Sequence, residues 1–184
     1  MKFSRNKNEV NAGSMADIAF LLLIFFLVTT TIPNEEGIAQ KLPRECESPP
    51  CEIDLHENNI FRVALNSNND ILVEGNLISL GALKDLAKAF IDNDLSGECD
   101  YCNGAKLKEA SNSPQEAIVS LVSDRNTSYK YYIAVQNELI AAYTELRTNY
   151  ALNEFNNSLS ALSKKQHAEV KKAYPQIISE AETH

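Results

Sequence analysis

The longest apolar run of the chain lies near its N-terminus. Residues 18–28 are apolar without interruption, and tolerable flanking residues extend the segment to 12–32. These 21 residues would form about 31 Å of helix, close to the thickness of a bilayer's hydrocarbon core. Pro33 then ends the pattern. The sequence therefore predicts a transmembrane helix over residues 12–33, after a short N-terminal segment of residues 1–11.

Two alternatives to a retained span are a cleaved signal peptide and a buried core helix. A signal peptide shares the basic start and apolar middle, but residues 29–33 lack a small-x-small cleavage site. A core helix this apolar all round would need neighbouring elements, and only a short polar start precedes it. A retained span is the interpretation we favour.

Charge predicts the orientation of the span. Lys2, Arg5 and Lys7 precede it, whereas Glu35 and Glu36 follow it. Under the positive-inside rule the N-terminus is cytoplasmic, and in a bacterial inner membrane everything after the span is periplasmic.

The remaining pattern is that of a linker followed by a small α+β domain. Residues 34–52 are rich in Pro, Glu and Cys and indicate a linker, so the domain is expected over 53–184. Alternating or short apolar runs predict strands at 53–55, 60–65, 71–74, 77–78 and 117–123, with a possible edge strand at 176–179. Helical periodicity predicts helices from Ser79 or Gly81 to about Phe90, over 129–150 and over 163–173. The fold class is thus a small sheet packed with helices, with an extra C-terminal helix.

Two helical faces and one tyrosine cluster can be assigned from spacing. The helix that is predicted to end near Phe90 places four apolar residues on one face: Leu83, Leu86, Ala87 and Phe90. The second places Ile133, Gln136, Ile140, Tyr143 and Leu146 or Arg147 near one face. The tyrosines at its start are expected to serve core packing and the entry to the helix rather than to form a binding face: Tyr129, Tyr131 and Tyr132.

Composition narrows the function classes. The net charge is −8, and residues 1–12 carry +2, so the rest of the chain carries −10. An acidic soluble part argues against nucleic acid as a partner, because phosphate binding needs clustered Lys and Arg. His56, His167 and His184 lie far apart and no Gly-rich phosphate loop is present. Nothing in the pattern indicates an enzyme, a cofactor or a metal.

Asp17 is the main candidate functional residue, because it is an acid inside the apolar segment. An ionised carboxylate costs roughly 2.5–3.5 kcal/mol at the centre of a membrane helix, and somewhat less nearer its end. In a purely structural interpretation, Asp17 reaches the lipid headgroups or caps the start of the helix. The functional reading is a protonatable group that faces a partner or a wet path, as membrane carboxylates often do. Possible channel-facing residues on the same side are Ser14, Ile24, Val28 and Thr31.

The four cysteines, Cys46, Cys51, Cys99 and Cys102, all follow the span. The predicted compartment is oxidising, so two disulfides are the main interpretation. The pairing stays open, because four cysteines allow three connectivities. A four-cysteine zinc site and a redox-active C-x-x-C are the alternatives.

The residues around Asp17 resemble those of the ExbD/TolR family of biopolymer-transport proteins. The resemblance rests on a basic start followed by Gly-Ser-Met-Ala-Asp-Ile-Ala-Phe-Leu-Leu-Leu-Ile-Phe-Phe-Leu-Val at 13–28. The stretches Leu-Arg-Thr-Asn-Tyr-Ala at 146–151 and Tyr-Pro-Gln-Ile-Ile-Ser-Glu-Ala-Glu at 174–182 resemble the extended ExbD form of Bacteroidota-type bacteria. Many family members have a proline a few residues before the aspartate, where this chain has Ser14-Met15-Ala16.

The resemblance implies a subunit of an inner-membrane motor driven by the proton motive force. Two copies of the chain would place their helices inside a pentameric ExbB-type channel, Asp17 would carry protons, and the motion would energise a TonB-type protein. The alternatives are a TolR-type subunit of the Tol envelope-integrity system and a membrane-anchored periplasmic binding module for peptidoglycan or a solute.

Overall fold

The computed structural model describes residues 12–29 and 56–183, with the backbone alone described for 181–183. The chain divides into two compact units, residues 1–38 and 39–184. In the first unit, helix α1 covers Ala12–Thr29 and all its residues are exposed. It is long and apolar enough to cross a membrane. Residues 30–33 of the expected span and all of the expected linker, 34–52, lie outside the described residues.

The second unit contains a five-stranded mixed sheet and three helices in the part of the chain that the structure describes. The strands are β1 (Ile60–Leu65), β2 (Ile71–Val73), β3 (Asn76–Ile78), β4 (Ile118–Asp124) and β5 (Ile178–Thr183). The helices are α2 (Leu80–Ile91), α3 (Tyr129–Phe155) and α4 (Lys164–Ala173), with single 3-10 turns at Glu57–Asn59 and Leu159–Ala161. The expected strand at 53–55 lies outside the described residues.

The sheet has the spatial order β3-β2-β1-β4-β5. The first three strands are antiparallel neighbours, joined by tight turns rich in Asn, Asp and Gly. Strands β1, β4 and β5 are parallel, so helical crossovers connect them. Strand β4 therefore lies between β1, from the start of the domain, and β5, from its end.

Alternation along β1 decides which face of the sheet is buried. Phe61, Val63 and Leu65 are buried, whereas Arg62 and Ala64 are exposed. Helices α2 and α3 cover the buried face, because each presents an apolar stripe at helical spacing. The α2 stripe is Leu83, Ala87, Phe90 and Ile91. The result is a two-layer α+β sandwich, as the alternation predicted.

A smaller apolar cluster fixes the C-terminal helix. Ala151 of α3 packs with Leu162 and with Val170 of α4. A capping box begins α4: the Ser163 side chain accepts from the Gln166 amide, and the Gln166 side chain accepts from the Ser163 amide. The predicted helix start near Ser163 and its end before Pro175 are therefore close to those observed.

Some details differ from the sequence-based expectations. Leu86 lies at the edge of the α2 stripe and is 40% exposed. Helix α3 runs five residues past the expected end, to Phe155, where Asn156 adopts a left-handed conformation and closes it. The buried face of α3 includes the expected Gln136, Tyr143 and Leu146. It also includes Val135 and Leu139, which were not expected, whereas the expected Ile133 and Ile140 are only half-buried.

Candidate functional site

Asp17 lies in the interior of α1, at the sixth residue of the helix. The helix begins before Ser14, so Asp17 is not in its first turn, and the N-cap reading of this residue is wrong. Asp17 is the sole ionisable residue of Ala12–Thr29. Its side chain is exposed on the surface of the helix.

The helix geometry places several predicted pathway residues on the side of Asp17. At 100° per residue, Ser14, Ile24 and Val28 fall within about 60° of the Asp17 direction. Val28 lies about 16 Å along the axis from Asp17. This side of α1 is therefore a narrow stripe, with polar side chains near its N-terminal end and aliphatic side chains beyond them. That the stripe faces a partner stays a prediction.

The threonines that end the segment are only partly described. The Thr29 hydroxyl donates to the Phe25 carbonyl at 2.7 Å, which satisfies an acceptor of the last turn within the helix. Thr31, the fourth predicted pathway residue, lies outside the described residues.

Cys99 and Cys102 form a disulfide in the long connection between α2 and β4. The pairing is local, one of the alternatives that the spacing left open. Cys46 and Cys51 lie outside the described residues. Tyr101, inside the disulfide-closed loop, packs edge-to-face against Tyr150 of α3 and against Tyr174. The bond thus fixes a loop that contacts the C-terminal part of the domain.

Three hydrogen-bonding groups hold the junction between α4 and β5. The Tyr101 hydroxyl donates to the Ala173 carbonyl at 3.0 Å, and the Arg147 guanidinium donates twice to the Tyr174 carbonyl. The Tyr174 hydroxyl in turn donates to a carboxylate oxygen of Asp92 at 2.6 Å. The segment that leads into β5 is therefore anchored from α2, from α3 and from the disulfide loop.

Asp92 is a buried carboxylate that the sequence did not single out. Burial raises its pKa, and hydrogen bonds from Tyr174 and from the Asn103 amide oppose the shift in part. The same burial raises the pKa of Tyr174, and its bond to Asp92 raises it further. Asp92 lies in a polar stretch that resembles a turn, so no local signal indicated that its carboxylate would be buried.

Of the three tyrosines at the start of α3, Tyr132 is half-buried and packs against the core, whereas the other two do not pack into it as expected. Tyr129 is 75% exposed and Tyr131 is 44% exposed. The Tyr132 hydroxyl also donates to the Glu180 carboxylate on β5 at 2.6 Å, and the buried Gln136 amide donates to the same carboxylate. Tyr132 thus combines the predicted core packing with a polar contact between α3 and β5.

The comparison with protein families gives one match that spans both units. A family model described as biopolymer transport protein ExbD/TolR matches residues 4–150, about four-fifths of the chain. The matched residues include α1 with Asp17, and they end inside α3, so α4 and β5 follow the match. Among curated proteins, none matches.

Proposed function

Because the chain belongs to the ExbD/TolR family, we propose that it is the ExbD-type subunit of a motor driven by the proton motive force. In this role Asp17 is the proton carrier. A pentameric ExbB-type channel and a second copy of the chain surround the helix, and the motion energises a TonB-type protein for transport across the outer membrane. The N-terminus is cytoplasmic and the sheet domain is periplasmic. The role requires no cofactor and no enzymatic step.

The observation that supports this proposal most is the isolation of Asp17. One carboxylate stands on the surface of an 18-residue helix that is otherwise free of ionisable groups. A membrane carboxylate is costly unless a partner or water receives it, and a single helix cannot line a pore. Movement of one charge across 100 mV releases about 2.3 kcal/mol, which a carboxylate that loads and unloads protons can couple to motion.

The decisive experiment replaces Asp17 by Asn, which keeps the size and polarity of the side chain but removes its ionisation. We expect uptake of a TonB-dependent substrate to fall to the unenergised level, with normal membrane insertion and normal co-purification of the channel subunit. Asp17→Glu should retain part of the activity, because it keeps a carboxylate on the same side of α1.

A matched control tests whether an amide in α1 is harmful by itself. Leu23 lies about 120° away from the Asp17 direction, so Leu23→Asn adds an amide and leaves the carboxylate in place. It should keep most of the uptake activity. Full uptake by Asp17→Asn, together with unchanged resistance to detergents, would contradict the proton-carrier role and favour the membrane-anchored binding module.

The same strains separate the two branches of the family. If Asp17→Asn leaves energised uptake intact but makes cells sensitive to detergents, the chain serves envelope integrity as a TolR-type subunit. The C-terminal extension beyond the family match, α4 and β5, favours the ExbD branch.

A further inference from the structure

Helix α4 carries a four-lysine face. At 100° per residue, Lys164, Lys165, Lys171 and Lys172 fall within an arc of about 120°. The buried residues of the helix, Val170 and Ala173, point to the opposite side. The arrangement is a cationic stripe about 10–15 Å long on the outside of the domain.

These lysines are not used by the fold. All four are exposed, and none forms an ion pair among the described residues. Glu169 is the one acidic residue of α4, so the helix carries a net charge of +3. Residues 56–183 as a whole carry −5, which makes α4 a local reversal of the domain's sign.

Helix stability does not account for all of the stripe. Lys171 and Lys172 lie in the last turn, where the helix dipole favours cations. Lys164 and Lys165 directly follow the Ser163 N-cap, at the positive end of the dipole, where cations are disfavoured. Two lysines placed against the dipole, on the same face as two others, indicate an external anionic partner.

The chain itself brings an anionic surface within reach. Residues 30–55, which number 26, join the domain to α1, and a chain of that length spans at most about 90 Å. A tethered surface meets its target at high effective concentration. We propose that the lysine face of α4 docks onto anionic phospholipid headgroups of the membrane that α1 spans, which holds the domain with α4 toward the bilayer.

The strength of this docking follows from charge and salt. A lysine near an anionic membrane surface contributes about a fivefold gain in the docked population, and the attraction decays over about 8 Å at physiological salt. Neutralising two lysines should therefore lower the ratio of docked to free domain roughly 25-fold. High salt should have a similar effect on the unmodified chain.

The test uses the full chain in nanodiscs, because α1 must remain in a bilayer. Amine labelling by a water-soluble reagent, read by mass spectrometry for each lysine, reports which lysines are covered. We expect α4 lysines to label several-fold more slowly in discs with phosphatidylglycerol than in discs of phosphatidylcholine alone. The difference should vanish at 0.5 M salt. Lys108 and Lys130, which are exposed elsewhere, should label equally in both.

A matched pair of variants separates local docking from total charge. K171Q/K172Q should abolish the protection of Lys164 and Lys165, whereas K108Q/K130Q, with the same change in net charge, should leave it intact. Equal labelling in the two lipid compositions overturns the proposal, as does equal loss of protection in both variants. Protection by added polyglutamate in phosphatidylcholine discs, without protection by phosphatidylglycerol, would assign the face to an acidic protein and also overturn it.

Discussion

Asp92 connects three parts of the domain through a single carboxylate. One oxygen accepts from Tyr174, just before β5, and the other accepts from the amide of Asn103, next to the disulfide loop. Burial raises its pKa, so the folded state holds the proton more tightly than the unfolded state. Folding stability therefore decreases as pH rises from the ordinary aspartate pKa through the raised one.

Asp92→Asn removes this titration. Relative to the variant, the unmodified chain should lose stability as pH rises from about 4 through the raised pKa. The amide also loses one of the two accepted hydrogen bonds, at a cost of about 1 kcal/mol above that range.

Thermal unfolding of the domain in the detergent-solubilised full chain, followed by circular dichroism from pH 4 to 8, measures both effects. Asp100→Asn, an exposed neighbour, is the control and should follow the unmodified chain. Parallel pH profiles for the unmodified chain and Asp92→Asn would contradict the raised pKa.

Asp17 and Asp92 show which carboxylates in unusual surroundings a sequence can reveal. Asp17 stands out because its neighbours in sequence are apolar. The free-energy cost of placing its carboxylate in a membrane can therefore be estimated from the segment alone. Asp92 is followed by Asn93 and Asp94, and its hydrogen-bond partner Tyr174 lies 82 residues later. The long-range packing that buries Asp92 and so raises its pKa leaves no mark in the local pattern.

At the level of elements, the sequence was most informative where one face is buried and the other is exposed. Alternation located β1 to the residue, and the turn residues between β2 and β3 marked the hairpin. Helix α3 was located less well, because buried residues lie on several sides of it. Its first half packs on the sheet, and Ala151 near its end packs with α4. A helix with two partners in different directions has no single apolar stripe from which its face or length can be predicted.

The capping box of α4 permits a local test of element stability. Ser163→Ala removes the side-chain acceptor of the Gln166 amide, and such N-cap losses cost about 1 kcal/mol. Hydrogen–deuterium exchange of the α4 amides should accelerate up to about fivefold, because the helix opens more often. Exchange in α2 should not change.

Ser128 provides the matched control for that substitution. It occupies the N-cap position of α3, but its side chain makes no capping hydrogen bond. Ser128→Ala should therefore leave exchange at the start of α3 unchanged. An equal acceleration in both variants would mean that the serine hydroxyl acts through something other than the cap.

At the scale of the whole molecule, the family match and the folded unit do not have the same boundary. The match ends at residue 150, but β5 pairs with β4 over six residues, from Val119 with Ile178 to Asp124 with Thr183. Ile178 is 1% exposed and Tyr174 is 2% exposed, so the last segment supplies part of the core. The sequence suggested an edge strand near this point, but not that it pairs in parallel with β4.

A chain that ends at residue 150 should therefore fail to form the domain, even though it keeps all of the family match. It would lack Tyr174 and Ile178, and it would leave unpaired the edge of β4 that β5 covers, next to the buried Val119 and Leu121. We expect rapid proteolysis and no cooperative thermal transition. In the full chain, Ile178→Ala should cost about 2–5 kcal/mol and Ile178→Val about 0.5–1.5 kcal/mol, since both change the same packed site by different volumes.

The α4 variant K171Q/K172Q is the control for this loss, because it alters the same extension without touching its buried side. It should still unfold cooperatively, at a temperature only slightly below that of the unmodified chain, because each lysine in the last turn contributes about 0.3–1 kcal/mol through the helix dipole. Cooperative unfolding of the 150-residue chain at that temperature would mean that β5 and α4 are an appendage. If the 150-residue chain does not fold, and if the Ile178 variants lose stability in proportion to the volume removed, the segment beyond the match is required for the domain that follows α1 in the chain.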